Sequence, residues 1–151
     1  MNAKNYALWL LGKRAYTQKR LREKLESKNY PQADIDSAMK FCIDQGFIND
    51  IEYAKSFIRT RDICSPRGKH LLRLELIKRG VSDEDLIEVF ADEEVAARPE
   101  EELARELIRR KTRQYDTLNK EKKYQRLFGL LARRGFEINT IRSVLDEYFR
   151  K

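Results

Sequence analysis

Histidine, cysteine, proline and glycine are all scarce in this 151-residue chain, which has one His, two Cys, three Pro and six Gly. The single His, His70, lies within Arg67-Gly68-Lys69-His70 and has no Cys or second His at ligand spacing. That leaves no zinc pattern and little basis for a catalytic triad, so a surface His at a basic helix start is the expected reading. Gly68-Lys69 also lacks the preceding glycine and the following Ser or Thr of a phosphate-binding loop, so no nucleotide-hydrolysing apparatus is expected. Cys42 and Cys64 do not form a C-x-x-C pair, and Cys42 stands among Met39, Phe41 and Ile43. Reduced thiols, buried or inert, and a cytoplasmic setting follow. Long apolar runs are missing too. The run near the amino end, Ala7 to Leu11, is too short for a signal peptide or a membrane span. The expected protein is therefore not an enzyme, carries no metal or cofactor, and does not engage a membrane.

Charge is abundant: 38% of residues are Asp, Glu, Lys or Arg, against 41% hydrophobic, with a formal net charge of +7. So much charge with so little Gly and Pro favours helices with large exposed faces over strands and turns. The positive balance suits a polyanion or an acidic protein surface.

Self-similarity organises the chain. Segments starting at Leu21, Leu72 and Leu127 superpose without gaps: Leu25, Leu76 and Leu131 fall in register, then Ile35, Leu86 and Ile141, then Met39, Phe90 and Leu145. Leucines four residues apart share one helical face. Each copy then has a basic residue, followed by Asn29, Gly80 or Gly135, followed by Tyr30, Val81 or Phe136. Asn and Gly enter the left-handed conformation that ends a helix, and the next apolar side chain closes the contact, so this is one helix stop written three times. An earlier helix precedes each pair, with Ala7, Ala54 and Ala104 each followed three and four residues later by apolar side chains.

The expected fold is all-α: three tandem three-helix, helix-turn-helix-like repeats, at 1–47, 48–95 and 96–151, stacked into an elongated, curved rod. Helices are predicted at 4–14, 18–28, 32–45, 50–62, 66–79, 83–92, 99–112, 119–134 and 138–149. Ser82 begins a capping-box-like start, and Pro99 precedes three glutamates in a first turn. The loops 60–66 and 112–119 are the natural places for flexibility. Trp9, Tyr6, Tyr53 and Phe57 stand at helical spacing in first helices and are expected to be core. A monomer is expected, since stacked repeats bury one another.

Charge is also segregated. Residues 105–134 hold eleven basic side chains against three acidic ones, whereas 83–102 hold ten acids against Arg98. Charged residues are commonly just solvated surface, but alternating blocks suit docking along a charged, repeating partner. Two clusters are the best contact candidates: Arg59, Arg61, Arg67, Lys69 and Arg73, and Arg109, Arg110, Lys111, Arg113, Lys120, Lys122 and Lys123. A third, weaker amino-terminal patch holds Lys13, Arg14, Lys19, Arg20, Arg22 and Lys24. Tyr115 and Tyr124 interleave with the second cluster and either stack on a base or pack between helices.

The stretch Gly46-Phe47-Ile48-Asn49-Asp50, with Tyr53, Ala54, Phe57 and Arg61 following, resembles the signature of the RecX family, and the Leu72-Glu75-Leu76-Gly80-Val81 pattern downstream is similar to that family's second unit. The resemblance covers almost the whole chain. It implies a regulatory protein whose partner is the RecA recombinase filament, and which restrains ATPase, strand-exchange and coprotease activities by blocking extension or promoting disassembly. The competing reading is a sequence-tolerant protein of tandem helix-turn-helix-like units that binds single- or double-stranded DNA directly. Against it, the third helices begin with Asp34, Asp83-Glu84-Asp85 or Glu137, which phosphates repel.

Overall fold

The computed structural model describes residues 1–150, and every regular element among them is helical. In chain order these are α1 (Ala3–Lys13), α2 (Gln18–Ser27), α3 (Gln32–Asp44), α4 (Asp50–Cys64), α5 (Lys69–Arg79), α6 (Asp83–Ala91), α7 (Glu93–Ala96), α8 (Glu100–Lys111), a 3-10 turn (Thr112–Tyr115), α9 (Lys120–Arg133) and α10 (Ile138–Arg150). The starts are written in side chains. Asn2, Thr17, Ser82 and Asn119 each accept a hydrogen bond from the backbone N–H three residues on, at 2.8, 3.3, 3.1 and 2.9 Å. The stops follow the repeat: Asn29, Gly80 and Gly135 have φ of 59°, 101° and 85°. In the later two copies the next N–H closes a Schellman motif, Val81 onto the Leu76 carbonyl (3.0 Å) and Phe136 onto that of Leu131 (3.2 Å).

Four expectations about the elements change. Residues 60–64 are not loop but the last turn of α4, and Arg110 bonds the carbonyls of Ile63 and Cys64 at that end. α5 starts at Lys69 rather than 66, and Gly68 just before it donates its N–H to the Arg134 carbonyl at 2.7 Å. Residues 112–115 wind into the 3-10 turn, and α7 is an added single turn anchored by Val95, too short to show a period.

The chain packs as two compact units, Met1–Phe57 with Leu76–Asp92, and Ile58–Glu75 with Glu93 onward. In the first, α1 lies on α3 and α2 through Ala3, Ala7, Leu10, Leu21, Leu25, Ala38, Met39 and Cys42. Alanines at 3 and 7 let the helices approach closely. Trp9 lies off this stripe and is 48% exposed, so it is not a core residue; Tyr6, Tyr53 and Phe57 are half-buried. Cys42 is fully buried, and burial raises its thiol pKa; Cys64 is exposed. In the second unit, α8, α9 and α10 enclose Ala104, Leu107, Ile108, Leu127, Leu131, Ile141 and Leu145. Tyr115 and Tyr124 pack against that core, Tyr124 with its ring centroid 5.5 Å from that of Phe149, so packing accounts for both tyrosines.

One joint recurs. In the first unit the buried Thr17 hydroxyl, just before α2, donates to the Arg79 carbonyl at the end of α5. In the second, Gly68, just before α5, donates its N–H to the Arg134 carbonyl at the end of α9. Thr17 and Gly68 are equivalent in the repeat register, as are Arg79 and Arg134. The approach is close: a Cβ on Gly80 would lie 2.5 Å from Lys19 Cβ, and one on Gly135 would lie 2.4 Å from the Leu71 nitrogen.

The Asn49-Asp50 pair caps two helices at once. Asn49 Oδ1 accepts from Glu52 N–H at the start of α4 (3.1 Å), while Asp50 Oδ1 accepts from Gln18 N–H at the start of α2 (3.0 Å). Asp50 is 7% exposed. Burial raises its pKa, an effect the Gln18 N–H opposes and the nearby Asp85 charge reinforces.

Two predictions follow from the joint and the cap. Gly46 (φ 75°) has open space where a Cβ would go, whereas Gly135 (φ 85°) does not. Gly46→Ala is expected to lose about 1–2 kcal/mol of stability to left-handed strain, and Gly135→Ala about 1–3 kcal/mol more to overpacking against Leu71. Urea unfolding compares them, and equal losses would show that the joint yields. Because the Asp50 pKa is raised on folding, its carboxyl binds protons more readily in the native state, so its contribution is present below the ordinary carboxyl value of 3.8 and is lost as pH rises through the folded pKa. Asp50→Asn keeps the acceptor, and its urea midpoint is expected above that of the parent at pH 7, with the gap closing toward pH 3. A variant that weakens progressively as pH rises would contradict this.

Candidate functional site

Every residue of the two main candidate clusters falls in the second compact unit, and the weaker amino-terminal patch falls in the first. The two basic clusters, far apart in sequence, meet at the carboxyl end of α4. Arg110 from the second cluster donates its Nη1 to the Cys64 carbonyl at 3.0 Å and its Nη2 to the Ile63 carbonyl at 3.1 Å. Those are end carbonyls of the helix that carries Arg59 and Arg61. A guanidinium at a helix carboxyl end satisfies orphan acceptors and opposes the negative end of the dipole, which makes Arg110 a capping residue.

Arg61 and Arg67 turn inward onto one carboxylate. Arg67 Nη1 donates to Glu75 Oε2, and Arg61 Nη2 stands 3.8 Å from the same oxygen; the side chains of Arg67 and Glu75 are 20% and 19% exposed. Arg134 completes the group by donating to the Ser65 hydroxyl at 2.7 Å. Burial and then the adjacent Arg67 charge lower its pKa, with Glu75 opposing. Positive charge thus exceeds negative around Glu75.

Within the second cluster, Lys123 pairs with Asp116 at 3.0 Å and lies over the Tyr148 ring, Arg109 pairs with Glu106, and Lys111 is half-buried. Arg73 is half-buried as well. Arg59, Lys69, Arg109, Arg113, Lys120 and Lys122 present exposed side chains, and these form the accessible part of the candidate surface.

Sequence reasoning passed over Arg98, which appeared only as the exception in an acidic block. Its side chain is 7% exposed; it holds Asp62 with two bonds (3.0 and 2.7 Å), Glu100 at 2.9 Å and the Arg67 carbonyl at 2.9 Å. Burial raises the pKa of Glu100, and the Arg98 charge opposes that shift. A lone arginine inside an acidic run, just before Pro99, was the available signal.

In the first unit, Arg79 plays a comparable role. It donates to the Tyr53 hydroxyl at 2.8 Å and lies over the Phe57 ring at 4.7 Å. Two aromatic positions of the Gly46–Arg61 stretch are therefore the socket for an arginine whose own carbonyl accepts from Thr17.

No helix among the described residues is long and apolar enough to cross a membrane, and none of their His, Cys, Asp and Glu side chains form a group of three or more able to hold a metal ion.

Comparison with known proteins points one way. Residues 3–42 match the family model described as RecX, first three-helix domain, and residues 99–145 match RecX, third three-helix domain. A relative from Vibrio vulnificus, named Regulatory protein RecX, is 35% identical over 97% of this chain and 93% of its own length. One of the same name from Chlorobium phaeobacteroides is 31% identical over 95% and 91%. The crystal structure of RecX from Lactobacillus salivarius superposes with a TM-score of 0.82 at 24% identity, covering 99% of this chain and 96% of that one, and so shares the fold.

Glu75→Gln removes the carboxylate that Arg61 and Arg67 share and is expected to cost about 1–3 kcal/mol, less than a fully buried pair because the group is partly solvated. Lys122→Glu is expected to stay within about 0.5 kcal/mol of the parent. Urea midpoints check both, and comparable losses would refute the division into structural and accessible charge.

Proposed function

Because the chain belongs to the RecX family, we propose that it binds the RecA nucleoprotein filament and inhibits its ATPase, strand-exchange and coprotease activities by occupancy, without catalysing a reaction. On this reading it acts in the cytoplasm as a monomer and so tunes recombination and DNA repair. The observation that carries the proposal is the meeting of the two basic clusters at the end of α4, with Arg59, Lys69, Arg109, Arg113, Lys120 and Lys122 exposed. A filament offers repeating acidic protein surface and a phosphate backbone, to which such a surface is complementary. Three related units, 1–47, 48–95 and 96–151, multiply the contact through effective concentration.

Direct reading of a DNA groove is the weaker alternative. The first turn of α6 holds Asp83, Glu84 and Asp85, and that of α3 holds Asp34, where phosphates would have to approach.

The test is the single-stranded-DNA-dependent ATPase of RecA titrated with this protein. Inhibition is expected well below one molecule per recombinase subunit. A variant carrying Arg59→Glu, Lys69→Glu, Lys120→Glu and Lys122→Glu is expected to need at least about tenfold more protein, a loss of roughly 1.4 kcal/mol. Full inhibition by the charge-reversed protein would remove this surface from the interface, and no inhibition by the parent, alongside tight salt-sensitive DNA binding, would promote the DNA-binding reading.

A further inference from the structure

Trp9 is large, apolar and 48% exposed, and the core beneath α1 is built without it. It belongs to a ladder of aromatic rings. Tyr6 stacks on Trp9 with centroids 5.9 Å apart and planes 19° from parallel, and Tyr30 continues from Tyr6 at 6.1 Å. Two lysines stand over it: Lys13 Nζ lies 4.0 Å from the centroid of Trp9, the end ring, and Lys28 Nζ lies 5.5 Å from that of Tyr6, the middle one. The spacing Tyr6, Trp9, Lys13 puts these three on one face of α1, and the Asn29 turn delivers Lys28 and Tyr30 beside them. All of this lies within the first compact unit.

Flat rings with an accessible face, flanked by ammonium groups, are the elements by which proteins hold unpaired bases and their phosphates. We propose that the Tyr6–Trp9–Tyr30 ladder is a stacking site for single-stranded nucleic acid. One base takes the Trp9 face that the Lys13 ammonium covers in the free protein, and Lys13 and Lys28 turn to the flanking phosphates. The exchange is favourable because an ammonium over an exposed ring is held weakly, whereas a stacked base covers the whole face and gives the displaced lysine a phosphate partner. Duplex DNA does not fit, since its base faces already stack on one another. An acidic peptide would satisfy the lysines but leave the ring face unused. The site stands on its own observations and does not depend on the filament reading.

Trp9 is the only tryptophan in the chain, so its emission reports on this site alone. The full-length protein, without recombinase, is titrated with oligo-dT, a duplex of equal length and polyglutamate. Saturable quenching by oligo-dT is expected, weakening about sevenfold between roughly 50 and 200 mM salt if two phosphates are neutralised on a single strand. By anisotropy of a labelled oligo-dT, Trp9→Ala is expected to bind about tenfold or more weakly, while Trp9→Phe retains most of the affinity. Absence of binding, binding of the labelled strand without change in Trp9 emission, unimpaired Trp9→Ala, or equal quenching by duplex or polyglutamate would each overturn the proposal.

Discussion

The last carbonyls of a helix must find donors, and in this protein the middle helix of each later copy finds them on the copy before it. Arg79 O is served by the Thr17 hydroxyl and Arg134 O by the Gly68 N–H. The repeated glycine at the helix stop acquires a second meaning from this. It supplies the left-handed turn, and it also leaves room for the preceding copy to come close enough to donate. At the equivalent position the first copy has Asn29, whose Cβ a packed joint of the later kind would not admit. Capping therefore links the copies, and the leucine layers fill the space that the caps define.

Arginine does much of the remaining work, and it does so inwardly. Arg79 in its aromatic socket, Arg98 on two carboxylates, Arg110 on two carbonyls and Arg67 on Glu75 each use the planar fork of the guanidinium to satisfy several groups from one side chain. Such a molecule reads as strongly basic, yet much of its arginine is committed to structure. The lysines at 69, 120 and 122 remain on the surface. A long-range positive field and a set of specific contacts are thus carried by partly different residues.

Helices and stops were legible because they are local. Leucine spacing fixes a buried face, and Ser82 or Gly80 fixes an end, whatever lies elsewhere in the chain. Boundaries failed where a distant residue meets them: α4 continues to Cys64, where Arg110 receives its end, and α5 starts at Lys69, next to the Gly68 that donates to Arg134. The candidate site was legible as composition but not as geometry. Nothing in the order of residues says that Arg67 points at Glu75 or that Arg98 reaches Asp62, since those partners lie 8 and 36 residues away; only Glu100, two residues from Arg98, is local. Trp9 was misread for the same reason. Its spacing is helical, but only the packed position of α3 shows which side of α1 is inside.

Most fixed positions of the Gly46–Arg61 stretch, the most recognisable part of the sequence, have a role in the fold, while Phe47 is 52% exposed. Gly46 turns the chain, Ile48 is buried, Asn49 and Asp50 cap two helices, Ala54 admits a close neighbour, Tyr53 and Phe57 seat Arg79, and Arg61 faces Glu75. A stretch so largely used by the fold identifies the fold and leaves the residues between its fixed positions open to change. Arg59 occupies one of those positions, exposed on the turn of α4 that leads to the meeting of the two clusters. Partner choice can therefore vary at such positions without disturbing the joint on which the architecture rests.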